Sequence, residues 1–442
     1  MITFALLSAF LLCEGAFAVW DRRRKRRLSA LGNPPTLPQE DRRSLWRKCV
    51  EHSESASHWT SIWMYDVDVH AVVKRHHLEF TAWALFNLRV DEITEPETRE
   101  NVLQCYRELI PSDDDTEDVV PEDIGERQRC CRAFTREPLC VWHKPYIFYC
   151  LYSVVFEYGK TTFFTSNGFT RRAVHHFRYW YKSGENSNLP IFFWHGFGCG
   201  LLPYWKNLNS IIATGRTVIV FELPFLTPAL TEYFPSKDEI LLAYDKVCIE
   251  LNIRKASHIG HSFGSVVMGW IVKHFPDRVV SMVFYSPVVF LLHFGDVCNN
   301  FIYKGQSPEA DVIHKLISRD LTIQTLLKRN FWWYDKILWV NDMKCPWLVI
   351  LAKQDQIVPS SEVRRYLLAA KDTEEVFDMG KFPRQGVHTV LGKHGEVLFG
   401  ARNKDTPLKV FSYITDWLDY HIPYRPRMGM RYRGIDERPH FP

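Results

Sequence analysis

Several features that mark common functional classes are missing from this chain of 442 residues. Its eleven cysteines include no C-x-x-C pair and no metal-ligand spacing. Their odd number and scatter indicate reduced thiols rather than a disulfide framework. The formal net charge is only +4 and there is no long basic face, so we expect no nucleic-acid partner. The sequence likewise indicates no metal and no cofactor.

Aromatic and aliphatic residues are abundant by contrast. Hydrophobic residues make up 46% of the chain, which contains 30 Phe, 19 Tyr and 15 Trp. This supply is sufficient for a large core and leaves aromatic residues for contact with a membrane or a lipid-like ligand. The sequence does not indicate an oligomeric state.

The first 20 residues have the composition of a membrane anchor. Residues 2–20 are almost wholly apolar with one charge at Glu14, and a basic run at 22–27 follows them. This length is just sufficient to cross a bilayer as a helix, and the basic residues after it place the bulk of the chain in the cytosol. The absence of N-x-S/T glycosylation sequons agrees with a cytosolic location. An alternative is a signal peptide cleaved after residues 16–18, which would direct the chain to the secretory pathway.

The remaining chain divides into four parts that differ in composition and hydrophobic pattern. Residues 21–45 are a basic, proline-containing linker, and residues 46–156 form a mainly helical N-terminal extension with aromatics at helical spacing. Residues 157–421 alternate short apolar runs with helical patterns, and residues 422–442 form a C-terminal tail. Repeated β-α units predict an α/β fold with a mostly parallel, doubly wound sheet. The site should then lie beyond the carboxyl ends of the strands.

The most informative motif is G-x-S-x-G at residues 260–264. A strand-like run at 255–259 precedes it and a helix-length apolar segment follows it, which is the context that a nucleophilic serine requires. The glycines permit a sharp turn, and the helix directs its free N–H groups toward the site. We therefore expect Ser262 to be the nucleophile.

A serine hydroxyl needs a base, and that base needs an acid to orient it. Asp355 follows a predicted strand at 346–351 and should lie at the same sheet edge as Ser262. Two histidines compete as the base. His394 follows the strand-like run that contains His388, and a base at a strand end can reach the nucleophile, so His394 is favoured.

Negative charge on the attacked carbonyl oxygen requires fixed N–H donors. One donor should be the amide of Phe263, directly after the nucleophile. The other should come from the H-G-x-G stretch at residues 195–198, where we assign the amide of Phe197. Residues 288–344 are rich in Phe, Leu and Trp, so they are predicted to form either an apolar lid over the site or an ordinary helical layer.

With these motifs in the order serine, acid, histidine, the chain resembles the α/β-hydrolase superfamily. Residues 329–334 and 393–398 are similar to a poorly characterised, largely fungal and protist group with an N-terminal extension. The resemblance covers about residues 157–421. It implies a catalytic triad of Ser262, Asp355 and His394. Dehalogenase and epoxide hydrolase chemistry are disfavoured because they require Asp in place of Ser262.

The resemblance implies a lipase-like serine esterase that cleaves a carboxylic, lipid-like acyl ester through an acyl-enzyme on Ser262. The expected partners are this small-molecule ester and a membrane. Two alternatives stay open. One is acyl transfer to an alcohol on the same scaffold, and the other is a catalytically silent, membrane-bound scaffold protein.

Overall fold

A computed structural model of the chain describes residues 2–53, 55, 59–60, 62–64, 74–110, 131–185, 189–307, 312–396 and 405–421. Nine strands form one sheet in the spatial order β1-β2-β4-β3-β5-β6-β7-β9-β8. In chain order the strands are β1 Thr170–Val174, β2 Phe177–Lys182, β3 Ile191–Trp194, β4 Val218–Glu222, β5 Ala256–His261, β6 Val279–Tyr285, β7 Trp347–Ala352, β8 Glu374–Glu375 and β9 Gln385–Val390. The predicted tail at 422–442 lies outside the described residues.

Strand pairing is antiparallel at one edge of the sheet and parallel elsewhere. Strand β2 pairs antiparallel with β1 and β4, whereas all pairs from β4 to β8 across the sheet are parallel. Every residue of β3, β5 and β7 is buried, as expected for central strands that are covered on both faces. This doubly wound sheet confirms the predicted α/β-hydrolase fold.

Helices lie before the sheet, on both of its faces and between β6 and β7. In the part of the chain that the structure describes, the helices before the sheet are α1 Ile2–Leu28, α2 Gln39–Glu51, α3 Lys74–Phe86, α4 Pro96–Leu109 and α5 Tyr146–Ser166. Three follow among the first strands: α6 Trp205–Ile212, α7 Lys237–Glu250 and α8 Gly264–His274. Among the described residues between β6 and β7 lie the short helices α9 Asp296–Cys298, α10 Val312–Ser318, α11 Leu321–Arg329 and α12 Trp333–Lys336. The last two are α13 Ser360–Leu368 and α14 Asp405–Tyr420.

Two buried apolar clusters cover the two faces of the sheet. One contains side chains from α6 and α14, such as Leu208 and Trp417. The other unites one sheet face with the N-terminal extension and with residues 288–344, which we call the cap segment. The extension is therefore packed into the same core as the sheet, through large buried side chains such as Trp46, Trp59 and Phe80.

The transmembrane anchor predicted at residues 1–20 is wrong, and so is the localisation inferred from it. Within the described part of the chain, no helix has the length and apolar character needed to cross a membrane. Helix α1 does not end at residue 20 but continues through the basic run to Leu28. Its apolar stretch is therefore the first part of a longer helix with a charged second half.

Contacts made by α1 give the physical reason for this correction. The carboxylate of Glu14 accepts hydrogen bonds from the amides of Tyr146 (2.7 Å) and Ile147 (2.8 Å) at the start of α5. The side chain of Arg24 is fully buried and donates to the carbonyl oxygen of Thr231 (2.6 Å) and to Oγ1 of Thr322 (2.8 Å). A helix that contributes charged groups to the rest of the protein in this way packs on protein rather than on lipid alone.

Candidate active site

Ser262 lies at a sharp turn between β5 and α8. Its φ angle is +51°, in the left-handed region that residues other than glycine seldom adopt. The turn is supported on both sides. The amide of Ser262 donates to the carbonyl oxygen of Tyr285 on β6 (3.0 Å), and its carbonyl accepts from the hydroxyl of Ser265 (2.5 Å). The strained conformation is thus held by the neighbouring strand and by the first turn of the helix.

The two glycines of the motif are required by close packing. A Cβ atom on Gly264 would collide with the carbonyl oxygen of Trp194 and lie 2.7 Å from its carbonyl carbon. A Cβ atom on Gly260 would collide with Sδ of Met268. The backbone of α8 can therefore approach β3 only because position 264 has no side chain.

The H-G-x-G loop after β3 lies directly against Ser262. A Cβ atom built on Gly196 would be only 2.6 Å from Cβ of Ser262. The ring of Phe197 contacts the ring of Phe263 edge to face, with centroids 5.1 Å apart. The two segments that the sequence predicts to donate N–H groups are therefore adjacent in space. Of the loop amides, Gly196 donates to the Tyr204 hydroxyl (3.1 Å) and Gly198 donates to the carbonyl oxygen of Leu226 (3.1 Å).

Tyr204 connects this loop to the elbow, a role that sequence analysis missed. Its hydroxyl accepts from the amide of Gly196 and lies 2.7 Å from Nδ1 of His261, the residue before the nucleophile. Burial, with smaller contributions from His394 and His195, lowers the pKa of His261 well below its usual value. Since a neutral imidazole has one nitrogen that can accept a hydrogen bond, and the Tyr204 hydroxyl already accepts from Gly196, Tyr204 donates to His261. An aromatic residue in an apolar run gives no sequence signal for such a link.

His195 fixes the start of the same loop. It is buried, its Nε2 accepts from the amide of Leu223 (3.1 Å), and its Nδ1 therefore carries the proton donated to the carbonyl oxygen of Gly196 (2.9 Å). Burial lowers the pKa of His195 to about 4. Both ring nitrogens are thus used, one within the loop and the other in a contact with the residue after β4.

Asp355 and His394 are brought together although 39 residues separate them. Nδ1 of His394 lies 2.9 Å from Oδ2 and 3.0 Å from Oδ1 of the carboxylate. The Asp355 side chain is fully buried, whereas that of His394 is 13% exposed. The ring of His394 also lies 5.1 Å from that of His261, which places the imidazole beside the residue that precedes Ser262.

The Asp355 carboxylate is held in its charged form despite its burial. Burial alone would raise its pKa, but the attraction of His394 and the amides of Val358 and Ile357 outweigh it and lower the pKa. Both amides donate to Oδ1 at 2.9 Å. The carboxylate therefore stays ionised and can accept from the His394 imidazole.

His388, the competing base, and Asp378, a second carboxylate, make other contacts. His388 lies within β9, is buried, and its Nδ1 is 2.7 Å from the carbonyl oxygen of Val376. Asp378 is exposed and accepts from the amide of Gly380 (2.9 Å) in its own loop.

An apolar cavity opens beside Ser262. It encloses about 570 Å³, including its opening to solvent. Its lining is dominated by aromatic and aliphatic side chains, namely Trp63, Phe134, Phe197, Phe263, Val288, Leu292, Val297, Phe301, Ile302, Leu327, Phe331, Trp333 and Ile357, with Ser262 and Cys298 as the remaining members. Across the described ranges, His, Cys, Asp and Glu side chains form no group that could hold a metal ion.

Comparisons with known proteins add limited information. No protein-family model matches the sequence, and no curated protein matches it significantly. Similar solved structures include a membrane phospholipase A that is a bacterial virulence factor (12% identity, TM-score 0.42, covering 62% of this chain and 94% of that chain). Others are an esterase from Thermogutta terrifontis (14%, 0.41, 58% and 100%) and a carboxylesterase from Bacillus subtilis (11%, 0.39, 60% and 99%). At these identities and TM-scores, the matches carry no argument about substrate or site.

Proposed function

We propose that the protein is a serine hydrolase that cleaves a carboxylic ester with an apolar acyl group. One observation carries this proposal. The hydrogen-bonded pair of Asp355 and His394 lies beside a strained serine elbow, and that serine lines an apolar cavity. A buried carboxylate that orients a histidine next to an activated serine is the arrangement that acyl transfer through a covalent intermediate requires.

The reaction would begin with attack of Ser262 Oγ on the ester carbonyl carbon. His394 takes the serine proton at Nε2, because Asp355 holds Nδ1–H and stabilises the imidazolium. The negative charge on the carbonyl oxygen is stabilised by the amides of Phe263 and Phe197. Among the amides of residues 196–198, Phe197 is the candidate because those of Gly196 and Gly198 donate elsewhere. Removing one such donor typically costs about 10²–10³ in rate.

The second half of the reaction restores the enzyme. The alcohol leaves with the proton from His394, and the acyl group stays bonded to Ser262. A water molecule then gives a proton to His394 and attacks the acyl carbon. The bond from this carbon to Ser262 Oγ breaks, Oγ takes the proton back from His394, and the carboxylic acid is released. An apolar acyl group in the cavity excludes bulk water from the site, which strengthens the hydrogen bonds to the oxyanion.

An active-site label tests the assignment of the nucleophile. A fluorophosphonate should react with wild-type protein, and mass spectrometry should locate the phosphonate on Ser262. The variant Ser262→Ala should lose labelling and ester cleavage completely. Ser265→Ala is the matched control, since Ser265 lies one helical turn away and donates to the Ser262 carbonyl. It should keep labelling at a reduced rate.

Labelling that persists in Ser262→Ala, or a wild-type protein that reacts with no fluorophosphonate, would overturn this assignment. Product analysis in the presence of an added alcohol separates hydrolysis from acyl transfer. The proposal expects the free acid as the main product.

A further inference from the structure

The wall of the cavity is contributed by three separate parts of the chain. The sheet domain provides the elbow and its neighbours, and the cap segment provides most of the aliphatic lining. The N-terminal extension contributes two aromatic side chains, Trp63 and Phe134. Since both are buried, with exposures of only 2%, their rings face into the protein and limit the space available there.

A continuous series of ring contacts leads from the elbow to the extension. Phe263 contacts Phe331 with ring centroids 6.2 Å apart, and Phe331 contacts Phe134 at 6.5 Å. Phe134 in turn stacks on Trp63 at 6.3 Å with an interplanar angle of 18°. All four residues line the cavity. Three successive ring contacts therefore lead from Phe263, the residue after the nucleophile, to Trp63.

The indole of Trp63 is fixed in its position. Its Nε1–H donates to the carbonyl oxygen of His293 in the cap segment (3.0 Å). A Cβ atom on Gly295 would lie 3.2 Å from Cδ2 and Cε2 of the indole, so the cap backbone touches the ring. The ring of Trp83 packs against it at 4.9 Å. The indole cannot rotate away without losing its hydrogen bond and these contacts.

The backbone that carries Trp63 is tied to the cap segment as well. The amide of Arg132 donates to the carbonyl oxygen of Trp63 (2.6 Å), and its guanidinium donates to the carbonyl oxygen of Ile62 (3.2 Å). The same guanidinium donates to Oδ1 of Asn299 (2.8 Å) and lies 5.1 Å from the ring of Tyr303. The extension and the cap thus form this end of the cavity together.

We propose that Trp63 determines the length of the acyl chain that the enzyme accepts. This inference rests on the proposed function, because it requires the acyl carbonyl to be at Ser262. From that point, an unbranched aliphatic chain follows the ring contacts and ends against the indole. The apolar lining excludes acyl groups that carry a charge at their far end, since such a charge would lose its hydration without a partner. The substrate class is therefore an ester of an uncharged aliphatic acid.

The test uses the rate at which Ser262 is labelled by alkyl fluorophosphonates of increasing chain length, together with cleavage of p-nitrophenyl esters from acetate to palmitate. In Trp63→Ala, the preferred chain should shift to longer alkyl groups. Specificity constants for the longest esters should rise at least about tenfold relative to acetate, since each methylene that fits an apolar pocket contributes about tenfold or more. The rate with acetate should change less than about threefold, because the acetyl group does not reach the indole.

Two further variants separate pocket length from folding. Trp63→Phe keeps an apolar ring of smaller size and should give a smaller shift in the same direction. Trp46→Phe is the control, because Trp46 is fully buried in the extension but does not line the cavity. It should lower thermal stability and leave the chain-length preference unchanged.

The outcomes are distinguishable. An unchanged preference in both folded Trp63 variants, with Ser262 still labelled, overturns the role of Trp63 and leaves the proposed function intact. A preference that shifts equally in Trp46→Phe overturns it too, because the effect would then follow stability. Failure of every fluorophosphonate to label wild-type Ser262 overturns both proposals.

Discussion

The two sides of Ser262 are built in different ways. On the reacting side, the elbow and the H-G-x-G loop are held by backbone contacts within the sheet domain, such as that between Gly264 and Trp194. On the cavity side, aromatic side chains from the extension and the cap segment pack against each other. The close backbone packing at Gly264 leaves no room for a side-chain atom, whereas a ring that lines the cavity can be replaced by a side chain of another size. If the two proposals hold, one region determines the chemistry and another determines the substrate size.

The largest effect expected on the reacting side is that of Asp355→Asn. An amide would favour the wrong tautomer of His394 and would not stabilise its charged form, so kcat/KM should fall about 10³–10⁴-fold. Steady-state kinetics with a short-chain ester measures this change. The exposed Asp378→Asn is the matched control and should retain wild-type activity. A variant at 355 that keeps more than about a tenth of the wild-type rate would show that this carboxylate does not orient the base.

Two glycines of the same helix test whether backbone packing defines the reacting side. Gly264→Ala should lower the free energy of unfolding by about 3 kcal/mol or more, because its Cβ collides with a backbone carbonyl that cannot move alone. Gly269→Ala should change it by less than about 1 kcal/mol. There the added atom lies 3.3 Å from Cγ2 of Val289 and 3.6 Å from Cβ of Leu338, and alanine favours the helix. Equal urea midpoints for the two variants would contradict this explanation.

The smallest effect concerns the contact between the extension and the cap. Trp59 donates through Nε1 to the carbonyl oxygen of His293 (2.8 Å), the same acceptor that Trp63 uses. Trp59→Phe should therefore lower the unfolding free energy by only about 1–2 kcal/mol, since Trp63 still satisfies that carbonyl. Trp205→Phe, at a side chain 46% exposed, should stay within about 0.5 kcal/mol of wild type. Calorimetric melting of both variants provides the measurement, and indistinguishable melting curves would argue against a fixed contact.

The features predicted correctly were those with a local sequence signal. The central strands are continuous apolar runs, and the serine motif stands between a strand and a helix, so the fold class followed from the sequence. The hairpin of β1 and β2 was missed because β1 contains two adjacent arginines. In addition, its turn at His175 and His176 lacks the glycine or asparagine that usually marks a hairpin. His175 nevertheless adopts a φ of +50° there.

The roles of the candidate triad members are proposals, whereas the contact between Asp355 and His394 agrees with their expected positions after neighbouring strands. The contribution of the extension to the cavity could not be anticipated in the same way. Trp63 contacts the cap at His293 and Gly295, more than 200 residues away in the chain. No periodicity or motif encodes such a contact, because it depends on how separate layers pack. The membrane anchor was predicted wrongly for a similar reason, since hydropathy does not report which protein surface a helix contacts.

The buried guanidinium of Arg24 has a practical consequence for any shortened version of this protein. Removing the first 28 residues as a dispensable leader would take away a donor to Thr231 and Thr322, and would leave their oxygens facing an empty groove. It would also remove the carboxylate of Glu14, which accepts hydrogen bonds from the first two amides of helix α5. Recombinant expression should therefore retain helix α1.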